Sequence, residues 1–179
     1  MNLNKIVLAV AVSFGMSSMA VHAANQGQGS VTFTGSIIDA PCSITPESVD
    51  QTVELGQVSN ALLKKGGKST PKAFTIDLEH CEIEEKKNNV AVTFTGVQSG
   101  ITGHDGMLGI SGQASGASVA ITDAGGKLIK LGSASPLVGV NEGNTALRFA
   151  AYLQGDSSDG AVVVPGDFTA VADFTLAYQ

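Results

Sequence analysis

The chain of 179 residues contains no tryptophan, only two tyrosines and few basic residues. A sandwich of the antibody type packs a tryptophan against its disulfide, so the lack of tryptophan excludes that core arrangement. Ten lysines and arginines stand against sixteen acidic residues. The nearest approach to a basic cluster is Lys64, Lys65 and Lys68, which is too small for a nucleic-acid-binding surface. We interpret these lysines as part of a solvated loop.

Catalytic signatures are missing as well. Histidine occurs three times, and the chain has no nucleophile elbow, zinc-protease helix or phosphate-binding loop. His104 and Asp105 are neighbours in a glycine-rich stretch, which is more typical of a loop than of a catalytic pair. Residues 156–160 resemble a calcium-loop fragment, but acidic turn residues explain them equally well. The sequence therefore predicts a protein that is not an enzyme and needs no cofactor.

Long apolar runs are confined to the N-terminus. Residues 1–23 combine Lys5, an apolar segment over 6–12 and small residues up to Ala23. This pattern predicts a secretory signal peptide cleaved after Ala23, because the apolar segment is too short and interrupted for a strong membrane span. Without Lys5, nine basic residues remain against sixteen acidic ones, a net charge of about −7. We expect one exported, acidic domain.

Two cysteines, Cys42 and Cys81, lie in the exported part of the chain. An even number in an oxidising compartment predicts a disulfide, and with two cysteines the pairing is unambiguous. The loop that it closes corresponds to roughly 4 kcal/mol of stabilisation in the chain-entropy model. A metal site with His80 would need both thiols free and a further ligand, so we predict no metal site.

Short alternating segments between glycine-rich turns fill the middle of the chain. Apolar and polar side chains alternate over 53–57, 74–80, 90–95 and 147–154, and residues 123–126 predict a hairpin-like turn. A helical turn is indicated only at 59–65. Many short strands with such turns predict an all-β sandwich of the immunoglobulin type.

The last fourteen residues alternate without interruption. Phe168, Phe174, Leu176 and Tyr178 fall on one face with alanines between them, while Thr169, Val171, Asp173 and Thr175 fall on the other. This period-two pattern predicts a half-buried strand. Because an unpaired apolar edge invites association with other chains, we expect something to cover this strand.

A second alternating segment precedes the first cysteine. Val31, Phe33, Gly35 and Ile37 share one face, behind a small, polar and glycine-containing leader. Glycine weakens a strand interior but suits a place where an opposing surface comes close. The segment is either the first strand of the chain's own sheet, with a bulge at Gly35, or a strand intended for another molecule, and the residues alone leave both open.

These segments give the chain a resemblance to the major pilins of chaperone–usher pili, especially the P-type group of Gram-negative bacteria. The matching parts are residues 29–44, the cysteine spacing, 141–153 and 165–168, with Gly166 fourteenth from the end and Tyr178 penultimate. The resemblance covers essentially the whole exported chain. Residues 98–116, rich in glycine and serine, match least.

The resemblance implies an incomplete immunoglobulin-like β-sandwich that lacks its last strand. Residues 39–179 would form the pilin domain and residues 24–38 an N-terminal donor-strand extension. In this family a periplasmic chaperone lends a strand to the acceptor groove, and at an outer-membrane usher the extension of the next subunit replaces it. By position, the donor residues are Val31, Phe33, Gly35 and Ile37. The acceptor groove and chaperone-binding residues are Gly166, Phe168, Phe174, Leu176, Tyr178 and Gln179.

The expected function is that of a structural subunit that polymerises head-to-tail by donor-strand exchange into the shaft of a cell-surface fimbrium supporting adhesion. Its expected partners are identical or related pilin subunits, the chaperone and the usher, and no nucleic acid. The alternatives are a minor or adaptor pilin, a tip carbohydrate-binding subunit, or a self-sufficient exported sandwich. The chain is too short for the two domains of a family adhesin.

Overall fold

The computed structural model describes residues 29–83, 85 and 87–179, so the predicted signal peptide lies outside the described residues. Ten strands and two short α-helices occur in the described part of the chain. The strands are β1 (Ser43–Ile44), β2 (Lys72–Cys81), β3 (Asn89–Gly96), β4 (Leu108–Gly109), β5 (Ser111–Gly112), β6 (Ala117–Asp123), β7 (Val138–Gly139), β8 (Gly143–Gly155), β9 (Phe168–Thr169) and β10 (Ala172–Tyr178). The helices are α1 (Pro46–Val49) and α2 (Asn60–Leu63), and a 3-10 turn over Lys64–Gly66 follows α2.

The strands form two principal antiparallel sheets and a small ribbon. The larger sheet has the order β1-β2-β8-β6-β4, the second has the order β10-β3-β7, and β5 pairs with β9. One apolar core joins Ile76 and Leu147 of the larger sheet to Val90, Val92 and Phe94 of the second. The predicted all-β sandwich is therefore confirmed.

The longest strand, β8, shows why the sheets pack in this way. Leu147, Phe149, Ala151 and Leu153 are buried, while Arg148 between them is exposed. Side chains on a strand alternate faces, so the apolar set of β8 lies against the second sheet. Its aromatic member, Phe149, meets Phe94 edge-to-face with ring centroids 5.1 Å apart.

A disulfide between Cys42 and Cys81 joins the segment before β1 to the end of β2, and the predicted pairing is confirmed. The hydroxyl of Ser48 in α1 accepts a hydrogen bond from the Asp77 N–H at 2.9 Å, which fixes α1 on β2. This helix was not predicted, although Pro46 at its first turn is a recognisable start signal. The helical turn expected at 59–65 is confirmed by α2 and the turn after it.

One sequence-based expectation needs correction. Residues 53–57 were predicted as a strand, but they have no regular secondary structure, because no described strand pairs with them. The stretch 98–116 is a loop with two very short strands, yet His104 within it is only 1% exposed. The predicted loop around His104 is present, and the Nδ1 of this histidine lies 2.8 Å from Ser118 Oγ, so its side chain is a hydrogen-bonded part of the core.

Candidate functional site

The last strand, β10, pairs with β3 along one edge and has no partner along the other among the described strands. Gln179 and Asn89 exchange both backbone hydrogen bonds, each at 2.9 Å. Hydrogen-bonded and non-hydrogen-bonded pairs alternate along an antiparallel ladder, so the odd-numbered residues of β10 face β3. The N–H and C=O groups of Phe174, Leu176 and Tyr178 therefore point to the open edge.

The same residues carry the apolar face of β10. Exposed and half-buried side chains alternate from Phe168 to Gln179, which confirms the predicted period of two. Phe174, Leu176 and Tyr178 are half-buried and pack against the core. The open edge thus combines unpaired backbone groups with incompletely covered apolar side chains, and both are unfavourable to leave in water.

A groove of about 1000 Å³ runs beside this edge and opens into the core. Its floor includes Phe74, Ile76, Phe94 and Val119, which belong to both principal sheets. Ligand-binding cavities are usually lined by apolar side chains with a few polar groups that fix orientation. Here the polar groups of the rim include the backbone of an unpaired strand, so the groove suits an extended peptide better than a small molecule.

Segment 49–58, which comprises the end of α1 and the irregular stretch after it, forms another wall of the groove. Val49, Val53, Leu55 and Val58 line the groove from this segment, and Val49 is 62% exposed. Gln51 Nε2 donates to the Thr75 carbonyl at 3.1 Å and holds the segment beside β2. Sequence reasoning missed this wall, although the alternation in 53–57 was a signal that these side chains face an apolar surface.

The predicted acceptor residues are distributed along this groove and its extension. Gly166, Phe168 and Phe174 line the cavity itself. Leu176 and Tyr178 continue the same face of β10 beyond it, and Gln179 is held by its ladder to Asn89. Burial raises the pKa of the Tyr178 hydroxyl, whose oxygen has no hydrogen-bond partner in the described chain. Gly166, Phe168 and Phe174 thus share the groove, and Leu176 and Tyr178 follow along the β10 strand, with Gln179 directly after it.

Gly166 marks the turn that leads into β9. A Cβ at this position would lie 2.7 Å from Gln113 Cβ and 2.8 Å from the Ala114 nitrogen, so the backbones touch here. The Asp167 carbonyl accepts hydrogen bonds from the N–H groups of Gln113 and Ala114, which secures the contact. Glycine is needed because any side chain would push these two segments apart.

We expect Gly166→Ala to lower the free energy of unfolding by about 1–3 kcal/mol, as overpacking does elsewhere. Urea denaturation followed by circular dichroism measures the effect. Gly100→Ala is the matched control, since a Cβ there meets nothing within 4 Å, and we expect it to change stability by less than about 0.5 kcal/mol. Equal effects of the two substitutions would contradict the contact at Gly166.

The predicted donor residues precede the domain and form no strand in the structure. Val31, Phe33 and Ile37 are 77%, 90% and 104% exposed. A Cβ on Gly35 would meet nothing within 4 Å, and its backbone does not require glycine. The structure therefore leaves three large apolar side chains exposed to water. Nothing in the described part of the domain explains why residue 35 is a glycine.

The sequence also drew attention to acidic residues outside the groove. In the part of the chain that the structure describes, no three His, Cys, Asp or Glu side chains are placed to hold a metal ion. Asp156 Oδ1 accepts a hydrogen bond from the Ser158 N–H at 2.8 Å, which lowers the pKa of that carboxyl and makes residues 156–158 an acidic turn. Across the described ranges, no helix is both long and apolar enough to cross a bilayer.

The family model for fimbrial proteins matches residues 31–179. The chain belongs to the fimbrial protein family. It is 61% identical to the Fimbria A protein of Serratia marcescens and 52% identical to the major MR/P fimbria protein of Proteus mirabilis, over the full length of both partners in each comparison. The Pap fimbrial major pilin protein of Escherichia coli is 37% identical over 98% of this chain and 99% of its own length.

Solved structures of fimbrial proteins have the same fold. A subunit from a chaperone–usher pilus rod superimposes with a TM-score of 0.73 at 37% identity, covering 86% of this chain and 97% of that one. The P pilus rod subunit PapA gives a TM-score of 0.69 at 34% identity, covering 78% of this chain and all of PapA. The predictions of a pilin-type, immunoglobulin-like fold and of a fimbrial structural subunit are confirmed, and relatives that are major subunits favour the shaft over a tip or adaptor position.

Proposed function

We propose that this fimbrial protein is a shaft subunit that polymerises by giving residues 24–38 to the groove of one neighbour and receiving the same segment from another. Residues 39–179 form the domain that carries the groove. The observation that supports this most strongly is the open edge of β10, where unpaired backbone groups and half-buried apolar side chains occur on the same residues.

The acceptor side supplies two kinds of binding energy. A strand that pairs with the open edge satisfies the N–H and C=O groups of Phe174, Leu176 and Tyr178, and each hydrogen bond contributes around 1 kcal/mol net. It also covers the apolar floor of the groove, which contains Phe74 and Phe94. Main-chain pairing gives affinity, and the pockets between side chains fix the register.

The donor side matches these needs. Burying Val31, Phe33 and Ile37 contributes roughly 5–9 kcal/mol in total, before the cost of ordering the segment. In this arrangement Gly35 lies between Phe33 and Ile37 on the inserted face, where a residue without a side chain lets the strand approach the floor. Dissociation requires withdrawal of a whole strand, so the fibre holds without covalent links between subunits.

Donor and acceptor surfaces differ, and a contact between different surfaces is head-to-tail. Such contacts continue into an open fibre unless the rotation between subunits closes a ring. A structural role of this kind needs no catalytic group. Two relatives that match over the full length of this chain are a fimbria A protein and a major fimbria protein, which supports the shaft position.

Before polymerisation the groove must be covered by another molecule, because an exposed apolar edge promotes aggregation. We assign this role to a periplasmic chaperone that lends a strand to β10 and contacts Gln179 at its end. The extension of the next subunit replaces that strand at an outer-membrane usher, and the fibre grows on the surface of a Gram-negative cell. This export route requires the predicted signal peptide, residues 1–23.

Deleting residues 24–38 tests the proposal. The shortened chain should remain folded with its chaperone and fail to form fibres, because the groove persists while the donor is gone. Deleting only residues 24–29 is the control, since it keeps all four donor residues and should preserve polymerisation. Fibres are counted by electron microscopy.

Two other results would contradict the proposal. If loss of residues 24–38 unfolds the domain or lowers its stability, the segment completes its own sheet. If the isolated subunit binds immobilised sugars, the chain is a tip carbohydrate-binding subunit instead. A synthetic peptide of residues 24–38 should raise the unfolding temperature of the shortened chain, as any ligand of the native state does.

A further inference from the structure

Two groups of like-charged side chains lie at opposite ends of the strands β2 and β8. Four lysines form the first group, which we call the lysine end: Lys64, Lys65, Lys68 and Lys72, all exposed. Five carboxylates form the second group, which we call the acidic end: Asp39, Glu79, Glu82, Glu85 and Glu142. The sequence indicated only a solvated loop for the lysines, and fibre formation by strand insertion does not by itself use either group.

The lysine end is built around the end of β8. The Gly66 N–H donates to the Asp156 carbonyl at 3.2 Å, and Lys68 pairs with Gln154. One acidic residue, Asp156, therefore accompanies the four lysines, and its carboxylate accepts a hydrogen bond from the Ser158 N–H. Lys72 begins β2 opposite Ala151. In the described chain no carboxylate lies within salt-bridge distance of these lysines, and Lys68 Nζ instead lies 5.3 Å from the centroid of the Tyr152 ring.

The acidic end is built around the other end of the same strands. Cys81, the last residue of β2, pairs with Gly143 at the start of β8. Glu79 pairs with Ser43, and the Glu82 N–H donates to the Pro41 carbonyl at 2.9 Å. One lysine, Lys87, accompanies the five carboxylates and lies 3.6 Å from Asp39. Glu84 and Lys86, which carry opposite charges, lie outside the described residues.

The distance between the two ends keeps them from neutralising each other. Strand β2 spans both, and its ten residues extend over roughly 30 Å at about 3.3 Å per residue. This is several times the Debye length of about 8 Å at physiological ionic strength. Each end is therefore available to a charge of opposite sign on another molecule.

The connection between the extension and its domain decides which end of the accepting subunit the donating domain will contact. The extension joins the domain at Ile38, next to Asp39, so a donated strand always leads back to the acidic end of its own domain. The acceptor strand β10 begins at Ala172, opposite Gly96, and ends beside Asn89, close to the acidic end.

The beginning of β10 lies toward the lysine end. A Cβ on Gly96 would lie 2.6 Å from Leu108 Cδ2, and Leu108 pairs with Val119 of β6. Strand β6 starts at Ala117 opposite Gly155, where the lysine end is built. A donated strand antiparallel to β10 therefore leaves the groove at the lysine end, and a parallel one leaves it at the acidic end.

We propose that the acidic end of each subunit docks on the lysine end of the subunit that accepts its extension, as a second contact that steers and orients assembly. This inference rests on the proposed function. If the donated strand is antiparallel to β10, the acidic end of the donating subunit lies beside the lysine end of the accepting subunit. If the strand is parallel to β10, the five carboxylates of one acidic end face the five carboxylates of the other. Complementary ends accelerate encounter and disfavour the wrong orientation.

Charge reversal tests the contact, with the chain from Ala24 onward. The double variant Lys64→Glu/Lys72→Glu should slow fibre growth about tenfold at low ionic strength, and salt should remove most of the difference. Adding Glu82→Lys/Glu142→Lys to the same chain should restore growth to within about twofold of the parent, because the charges are then exchanged. Light scattering gives the growth rates.

Two controls separate this contact from other effects. Lys127→Glu/Lys130→Glu makes the same change in net charge on the turn after β6 and should leave growth within about twofold of the parent. Uptake of a fluorescent peptide of residues 24–38, which lacks the acidic end, should be equal in all variants.

Normal peptide uptake with charge-independent fibre growth would overturn the docking of the two ends and leave strand insertion intact. Failure of peptide uptake in the parent chain would instead overturn the proposed function, and a loss shared by the control variant would assign the effect to net charge.

Discussion

A chain that carries Gly35→Asn is expected to form no fibres while its domain stays folded. Nothing in the chain's own structure requires glycine at this position, because a Cβ there meets nothing within 4 Å. In a neighbour's groove the same Cβ would face the apolar floor, where overpacking costs about 1–3 kcal/mol. An amide buried there without a partner adds about 1–3 kcal/mol more. The two costs together offset much of the energy expected from the donor side chains.

The experiment compares fibres by electron microscopy and domain stability by thermal unfolding. Gly29→Asn is the matched control, because Gly29 also precedes the domain, also has nothing within 4 Å of its Cβ, and lies before the donor residues. We expect normal fibres from the control and binding of the chaperone by both variants. Normal fibres from Gly35→Asn would refute the assigned register, and equal loss from both would indicate a general effect on the leader.

Replacing both cysteines by alanine is expected to lower the free energy of unfolding by about 4 kcal/mol in the chain-entropy model. Cys42 and Cys81 are separated by 39 positions, so the bridge removes considerable freedom from the unfolded chain. Both residues are also buried, at 3% and 4% exposure, so their loss leaves space in the core. Since most domains are stable by only 5–15 kcal/mol, the yield of exported subunit should fall sharply.

Urea unfolding of the parent under oxidising and reducing conditions provides the measurement. Reduction should shift the parent midpoint to lower urea and leave the alanine variant unchanged, since that variant has no bridge to break. An unchanged parent midpoint under reducing conditions would contradict a stabilising disulfide.

Periodicity was enough to predict the elements that lie across the core. The alternation of Leu147, Phe149 and Leu153 indicated β8, and that of Phe174 and Leu176 indicated β10, because one buried face imposes a period of two on a strand. The disulfide followed from the number of cysteines. The strands could be predicted because their pattern is local in sequence, and the disulfide because the chain has only two cysteines.

The open edge could not be predicted from periodicity, because it depends on which strands become neighbours. Residues 53–57 alternate like a strand, yet they form an irregular wall of the groove. Likewise, the loop around His104 was predicted, but the burial of its side chain and its bond to Ser118 depend on tertiary packing. For Val31 to Ile37 the pattern left two interpretations open, and the structure adds that Val31, Phe33 and Ile37 are exposed and form no strand.

Hydrogen exchange at the amides of Phe174, Leu176 and Tyr178 tests the central claim most directly. The account predicts fast exchange of these three amides in the monomeric Gly35→Asn chain and strong protection in fibres of the parent chain. The neighbouring amides of Asp173, Thr175 and Ala177, which face β3, should be protected in both states. Protection of Phe174, Leu176 and Tyr178 in the isolated monomer would mean that the chain completes its own sheet, and would contradict the account.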